Sequence, residues 1–164
     1  MVVAGLPEVI HFFSTNHGKH IKTISNKNTP DLVAFSISRN GKFIAASNNL
    51  NQINLWNVAT KKLKTTINAK GNANKLFVSA EGRYISFVES GKNLSILDVK
   101  NNKTVFLKNA DFLRSKNAYA TFEDIAISPD NKYLATITAY DNKIKIWDVQ
   151  GLLEKNLYPT LLTN

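Results

Sequence analysis

Histidines, carboxylates and nucleophiles are the residues of this chain that could do chemistry, and few of them are placed to do it. His11, His17 and His20 all fall in the first twenty residues. Grouped imidazoles suggest a divalent-metal site, because zinc takes nitrogen ligands at short spacings. No two of them share the i, i+4 face of a helix, and no carboxylate cluster accompanies them, so they read as structural or solvent-exposed. The 164 residues contain no cysteine, which removes thiol nucleophiles, disulfides and cysteine-rich zinc sites together. Asp141 is the sharpest single acidic residue, yet no paired base or nucleophile is evident around it. The seven glycines never form G-x-G-x-x-G or G-x-x-x-x-G-K, and no serine occupies G-x-S-x-G. This residue set predicts no catalytic residue, no metal and no cofactor.

Binding chemistry is better represented. Twenty-one Lys and Arg against twelve Asp and Glu give a formal charge of +9, a balance that attracts acidic partners, nucleic acid among them. Only Arg39, Arg83 and Arg114 are arginines. A lysine-dominated surface gives diffuse attraction more readily than bidentate readout of phosphate or guanine. A second binding feature is the stretch from Asn109 to Glu123, which carries Phe112, Leu113, Arg114 and Tyr119. Aromatics with arginine are the composition enriched at interface hot spots. No apolar run approaches the roughly 18 residues that span a bilayer, and no basic-then-apolar leader opens the chain. An intracellular protein, cytoplasmic or nuclear, with no membrane partner is expected.

These residues are positioned by a repeat. Three stretches superpose: FSISRNGKFIAASNNLNQINLWNV from Phe35, FVSAEGRYISFVESGKNLSILDV from Phe77 and IAISPDNKYLATITAYDNKIKIWDV from Ile125. The turn residues Gly41, Gly82 and Asn131, and the strand-end residues Trp56, Leu97 and Trp147, recur at roughly the 40–45-residue period of a four-stranded β-propeller blade. The predicted strands are 32–36, 43–47, 53–58 and 63–67, then 75–78, 84–88, 94–99 and 104–107, then 124–127, 133–137 and 144–149. Ile144 and Ile146 alternate with Lys143 and Lys145, as on a strand buried on one side more than the other. Aligning Phe13 with Trp56 places an incomplete unit at 2–4, 9–13 and 20–24. The fold expected is all-β: three full four-stranded blades plus a partial N-terminal blade. It is divided as a partial blade over 1–24 and blades over about 32–68, 74–108 and 124–162. The apolar tail 156–162 can supply a further strand, and a ring closed by both ends would place it in the partial blade. Phe13, Trp56 and Trp147 should be buried. The second unit, with Leu97 in the tryptophan position, should be the least well packed.

The segments INLWNV and IKIWDV, with FSIS and ISPDNKYLA ahead of them, resemble WD40 repeats from about Val2 to Val149. In that family a buried network joins a turn Asp, a strand-b Ser or Thr, a strand-c Trp and a His. The resemblance puts Asp141 and Trp147 in two of these places and Thr138 in a third. Ala118 stands near the histidine position, and Leu50 and Gly91 replace the Asp in the other units, so the repeats are degenerate. The implied role of Asp141, Trp147 and Trp56 is structural. Typical members have about seven blades, within the propeller range. The chain holds about half of that, so self-association or additional blades are expected to complete it. The resemblance also implies that the a–b and c–d turns share one face. That face collects Arg39, Lys42, Lys61, Lys62, Arg83, Lys103 and Lys132.

The function expected on this basis is a non-catalytic protein-interaction scaffold within a larger propeller or assembly, with a protein partner at one of two places. The insertion carrying Phe112, Leu113, Arg114 and Tyr119 is favoured over the basic turn face, since diffuse lysine attraction gives poor specificity. The alternatives are a basic RNA-associated scaffold subunit and the non-catalytic half of a propeller enzyme.

Overall fold

The computed structural model describes residues 2–6, 9–25, 31–90, 93–107, 121–139, 144–154 and 160–161. One turn design recurs through it. Ser38, Ser79 and Ser128 each stand three residues before a position with positive φ: Gly41 at 70°, Gly82 at 61° and Asn131 at 62°. Glycine and asparagine are the residues that reach this region most cheaply. Each serine N–H donates to the carbonyl of the residue that opens the next strand, Phe43, Tyr84 or Tyr133, at 2.9, 3.0 and 2.8 Å. Each serine hydroxyl accepts the N–H of that same residue, at 2.9, 2.9 and 3.0 Å. These serines keep the same spacing as the glycines in the sequence, and that is the signal by which they are found.

The turns connect four antiparallel sheets. The first contains β1 (Val2–Leu6), β2 (Val9–Phe13) and β3 (His20–Ser25). The second contains β4 (Leu32–Ile37), β5 (Phe43–Asn48), β6 (Gln52–Asn57) and β7 (Leu63–Asn68). The third contains β8 (Ala73–Val78), β9 (Tyr84–Glu89), β10 (Asn93–Asp98) and β11 (Lys103–Leu107). The fourth contains β12 (Phe122–Ile127), β13 (Tyr133–Thr138), β14 (Ile144–Asp148) and β15 (Thr160–Leu161). Neighbours in each sheet are consecutive in the chain. This is the meander of a propeller blade, with three four-stranded blades and one three-stranded sheet at the N-terminal end.

The sheets stack face to face, and three apolar clusters fill the gaps. Ile10, Phe12 and Ile24 of the first sheet meet Ile44, Ala46, Trp56 and Val58 of the second. The other side of the second sheet, with Ala45, Ile53 and Leu55, meets Val78, Ile85, Phe87 and Leu97 of the third. Tyr84, Val88, Leu94 and Ile96 on the far side of the third meet Phe122, Leu134 and Trp147 of the fourth. The residue in the tryptophan position therefore always faces the preceding sheet. Trp56 and Trp147 are 3% and 2% exposed.

That rule corrects two expectations. Phe13 is only half-buried and Phe12 takes the core position, because no sheet among the described residues precedes the first. Ile144 is 48% exposed while Lys145 is 5% exposed, so the alternation in β14 is present with its faces reversed. Lys145 and Trp147 turn toward the third sheet, and Ile144 and Ile146 lie on the side that a following blade covers in earlier units.

The second unit has a neighbouring sheet on each side. Strand β9 is buried along its whole length. Phe87, opposite Ser95, occupies the place held by Ala46 opposite Asn54 and by Thr136 opposite Lys145, and it lies in the same apolar cluster as Leu97. At the C-terminal end, β15 pairs with β14 and so forms the outer strand of the fourth sheet, instead of completing the first. Strand β14 stops at Asp148, where a single-turn helix, α1 (Val149–Leu153), follows and buries Leu152 and Leu153 in the last cluster. The strand expected over 144–149 thus ends one residue earlier. The Asp148 carboxylate accepts the Gly151 N–H and folds the chain back.

Candidate interaction face

The residue after each strand-c Trp or Leu is Asn57, Asp98 or Asp148, and its side chain performs one task in all three units. It accepts the backbone N–H three residues on: Thr60 at 3.0 Å, Asn101 at 3.3 Å, and Gly151. A short polar acceptor is needed there because a tight turn leaves an N–H without a strand partner. The next residue, Val58, Val99 or Val149, donates its N–H to the carbonyl of Lys42, Arg83 or Lys132 at 2.8, 2.7 and 2.8 Å. Each such bond clasps a c–d connection to the a–b turn of the same blade. The side chain above each clasp is basic in all three full units.

Lys42, Arg83 and Lys132 are exposed, as are Arg39, Lys61, Lys62 and Lys103 at the adjoining turns. The structure thus brings the seven basic candidates to the turn end of three successive sheets. Carboxylates are interleaved with them. Arg83 bonds Asp98 at 3.2 Å and lies 4.8 Å from the centre of the Tyr84 ring. Burial alone would raise the Asp98 pKa; the Arg83 hydrogen bond, the Asn101 N–H, the Arg83 charge and the Lys100 N–H outweigh it and hold the carboxyl below its usual range. Lys132 lies 3.9 Å from Asp130. The Asp130 carboxyl is also lowered, chiefly by the Ser128 hydroxyl and then by the Lys132 N–H. Between the third and fourth sheets this face opens a cleft of about 240 Å³ lined by Arg83, Tyr84, Asp130, Asn131, Lys132, Asp148 and Gln150. Asn131 Oδ1 is buried there without a hydrogen-bond donor.

The other candidates fall in different places. Trp147 Nε1 donates to Thr136 Oγ1 at 3.0 Å, so the strand-b hydroxyl of this pair is Thr136, two residues before Thr138. Trp56 has Ala46 in the corresponding place and forms no such bond with it. His11 and His20 meet across β2 and β3, with His11 Nδ1 3.3 Å from His20 Nε2. Thr23 Oγ1 lies 2.8 Å from His20 Nε2 and 3.2 Å from His11 Nδ1. His17 sits in the turn between these strands. The His11–Thr23 contact corresponds in register to Asn54–Thr66, where the Thr66 hydroxyl donates to Asn54 Oδ1 at 2.6 Å. The histidines thus extend a strand-c to strand-d polar contact that the second sheet also makes. Among the described residues no three His, Asp or Glu side chains converge as a metal site would require. Phe112, Leu113, Arg114, Tyr119 and Asp141 lie outside the described residues.

The model of the family described as eukaryotic translation initiation factor eIF2A matches residues 7–162. The chain belongs to that family. Its repeats are WD40-type propeller repeats, as the four sheets show. Among curated proteins, it is 28% identical over 99 residues to a ribosome biogenesis protein WDR12 homolog of Culex quinquefasciatus. The same identity and length hold for the WDR12 homolog of Aedes aegypti. In both cases the alignment takes in 60% of this chain and 22% of the relative. No helix among the described residues is long and apolar enough to cross a membrane.

Proposed function

We propose that this chain is a non-catalytic WD40-type platform that docks a protein partner on its basic turn face, within an assembly serving the ribosome or translation. The observation that carries this reading is the repeated clasp, which places Lys42, Arg83 and Lys132 at one position in three successive blades. A rigid, regular row of cations suits an acidic protein surface. Asp130, exposed on the same face, favours a protein with charges of both signs over a continuous phosphate backbone, which it would repel; Asp98 is buried and paired with Arg83. The family description and the ribosome-biogenesis relatives support the kind of assembly. Such a role is intracellular, in cytoplasm or nucleus.

The test is binding of the full chain to purified ribosomal particles and, in parallel, to an unrelated single-stranded RNA, across a salt series. Reversing Lys42, Arg83 and Lys132 to Glu should slow association with the particles about tenfold or more at low salt, as rim charges govern encounter. No binding to the particles rejects the assembly. Equal, steeply salt-dependent binding to the unrelated RNA rejects the protein partner in favour of the RNA-associated reading. If the charge reversal is silent and deletion of residues 109–119 abolishes binding, the partner sits on the insertion carrying Phe112 and Tyr119.

A further inference from the structure

The rings of His11 and His20 present two nitrogens to each other at a separation that suits more than a hydrogen bond. His11 Nδ1 stands 3.3 Å from His20 Nε2, and Thr23 Oγ1 lies 3.2 Å from the first and 2.8 Å from the second. Two nitrogens bound to one tetrahedral zinc at about 2.0–2.1 Å are about 3.3–3.4 Å apart. The three atoms therefore outline one face of a coordination tetrahedron. Each neutral ring can carry its proton on the other nitrogen, His11 Nε2 or His20 Nδ1, and turn a lone pair inward. Two such lone pairs repel unless a proton or a cation lies between them.

The surroundings hold the rings and keep competing charge away. Their centroids are 5.4 Å apart, edge to face, and the Phe13 ring packs edge-on to His20 at 5.6 Å and tilted against His11 at 6.2 Å. Lys22 of the same strand β3 lies on the opposite face, where its ammonium donates to the Val58 carbonyl at 2.8 Å. By register, Asn54, Leu63 and Thr66 of the second sheet stand where His11, His20 and Thr23 stand in the first. There the polar contact is the Asn54–Thr66 bond, so His20 is surplus to what the strand pair needs. The same comparison locates the mouth of the site. With the first sheet packed on that side of the second, Asn54 is buried, yet Leu63 stays 53% exposed and Thr66 exposed. Access past His20 and Thr23 is thus from the outer rim and does not depend on what covers His11.

We infer that His11, His20 and Thr23 form an open site for a divalent transition-metal ion of the zinc class. Two imidazole donors select such an ion over magnesium or calcium, which take oxygen ligands. Two imidazoles and one hydroxyl leave the fourth apex of the tetrahedron to water. The site is therefore an exchangeable one, distinct from the closed structural centre that four His, Cys, Asp or Glu ligands make. Both rings bind the ion in their neutral form, and the ion takes the place of the hydrogen between them.

The experiment titrates zinc chloride alone into the full chain at neutral pH, followed by calorimetry and heteronuclear NMR, with each variant checked for native circular dichroism. One equivalent should bind, moving the signals of His11, His20 and Thr23 first, and magnesium chloride should leave them in place. His11→Asn and His20→Leu install the side chains that the second sheet carries at those places, Asn54 and Leu63, so the repeat already accommodates them. Each should weaken zinc binding about tenfold or more, whereas His17→Ala, in the turn, should change it less than about twofold. No zinc binding overturns the inference, as does binding that survives both strand substitutions. An equal loss in His17→Ala overturns the triangle by moving a ligand into the turn. Half an equivalent with a doubled mass in light scattering also overturns it, because the ion would then be shared between two copies.

Discussion

Replacing Thr136 by Val removes one hydroxyl from the fourth sheet and leaves the side chain's shape intact. The Trp147 indole N–H, in a side chain 2% exposed, then loses the acceptor 3.0 Å away. Taking an acceptor from a buried donor costs about 1–3 kcal/mol. Trp147→Phe loses the same bond together with ring surface packed among Tyr84, Leu134 and Leu152. At about 25 cal/mol per Å² the smaller ring and its residual void add roughly 1–2 kcal/mol, for a total of about 2–4 kcal/mol. Once Trp147 is Phe, Thr136→Val has no indole bond left to break, so the double variant should fall short of additivity by about 1 kcal/mol. These are large steps against a domain stability of about 5–15 kcal/mol. Urea unfolding followed by far-ultraviolet circular dichroism at one fixed protein concentration measures them without relying on the indole that the substitution removes. A Thr136→Val cost below about 0.5 kcal/mol, or losses additive within that margin, would refute the claim that this bond is part of the blade's energetics.

Gly82→Ala should destabilise by about 2 kcal/mol or more, since φ is 61° and an added Cβ would stand 2.7 Å from the Phe43 ring of the preceding blade. The same measurement on Phe43→Leu should show a smaller penalty for the alanine, and equal penalties would remove the ring from the explanation. At the equivalent turn Asn131 already carries a Cβ, so Asn131→Gly should change stability by less than about 0.5 kcal/mol in the same urea assay. Ser86→Ala should be neutral or stabilising by up to about 1 kcal/mol, because the Ser86 hydroxyl is buried without a partner and Ala45 and Ala135 hold its place in the neighbouring blades. For acid stability the sign follows from Asp98. Its folded pKa lies below the ordinary value, so its contribution is present above about pH 4 and is lost as pH falls through the folded value. Asp98→Asn, which keeps an acceptor for the turn as Asn57 does, should flatten that part of the loss in pH-dependent denaturation profiles.

Much of the architecture was legible because period and turn chemistry are local properties. Gly41, Gly82 and Asn131 punctuate the chain where their φ angles are positive, and the strands between them fall within two residues of their predicted ends. What the sequence could not assign was which side of a strand meets which neighbour. Period-2 alternation separates two faces without saying which is inside. Ile144 and Lys145 show this most plainly, since residue type alone buries the isoleucine, whereas stacking order buries the lysine. That Phe87 and Leu97 share one cluster is likewise visible only once register is known.

The candidate face was legible in composition but not in construction. Summing Lys and Arg predicts a positive surface; it does not show that Lys42, Arg83 and Lys132 each sit over a backbone clasp that holds two turns together. That distinction separates diffuse attraction from a fixed pattern of charge, and it bears on which partner the face can discriminate. Long lysine side chains on mobile loops lose entropy when a partner orders them. Here the backbone beneath each cation is already held by a 2.7–2.8 Å hydrogen bond, so only the side chain remains to be ordered. Under the proposed reading the exposed Asp130 adds the complementary element, since a partner that presents uninterrupted negative charge meets repulsion there, whereas Asp98 is buried against Arg83. On the proposed reading, specificity on such a face draws on Asp130 as well as on the lysines. Asp130→Asn, which keeps an acceptor for the Ser128 hydroxyl and the Lys132 N–H, is expected to strengthen binding to the unrelated RNA while leaving the fold unchanged. Unchanged RNA affinity in the same salt series would show that Asp130 takes no part in the discrimination.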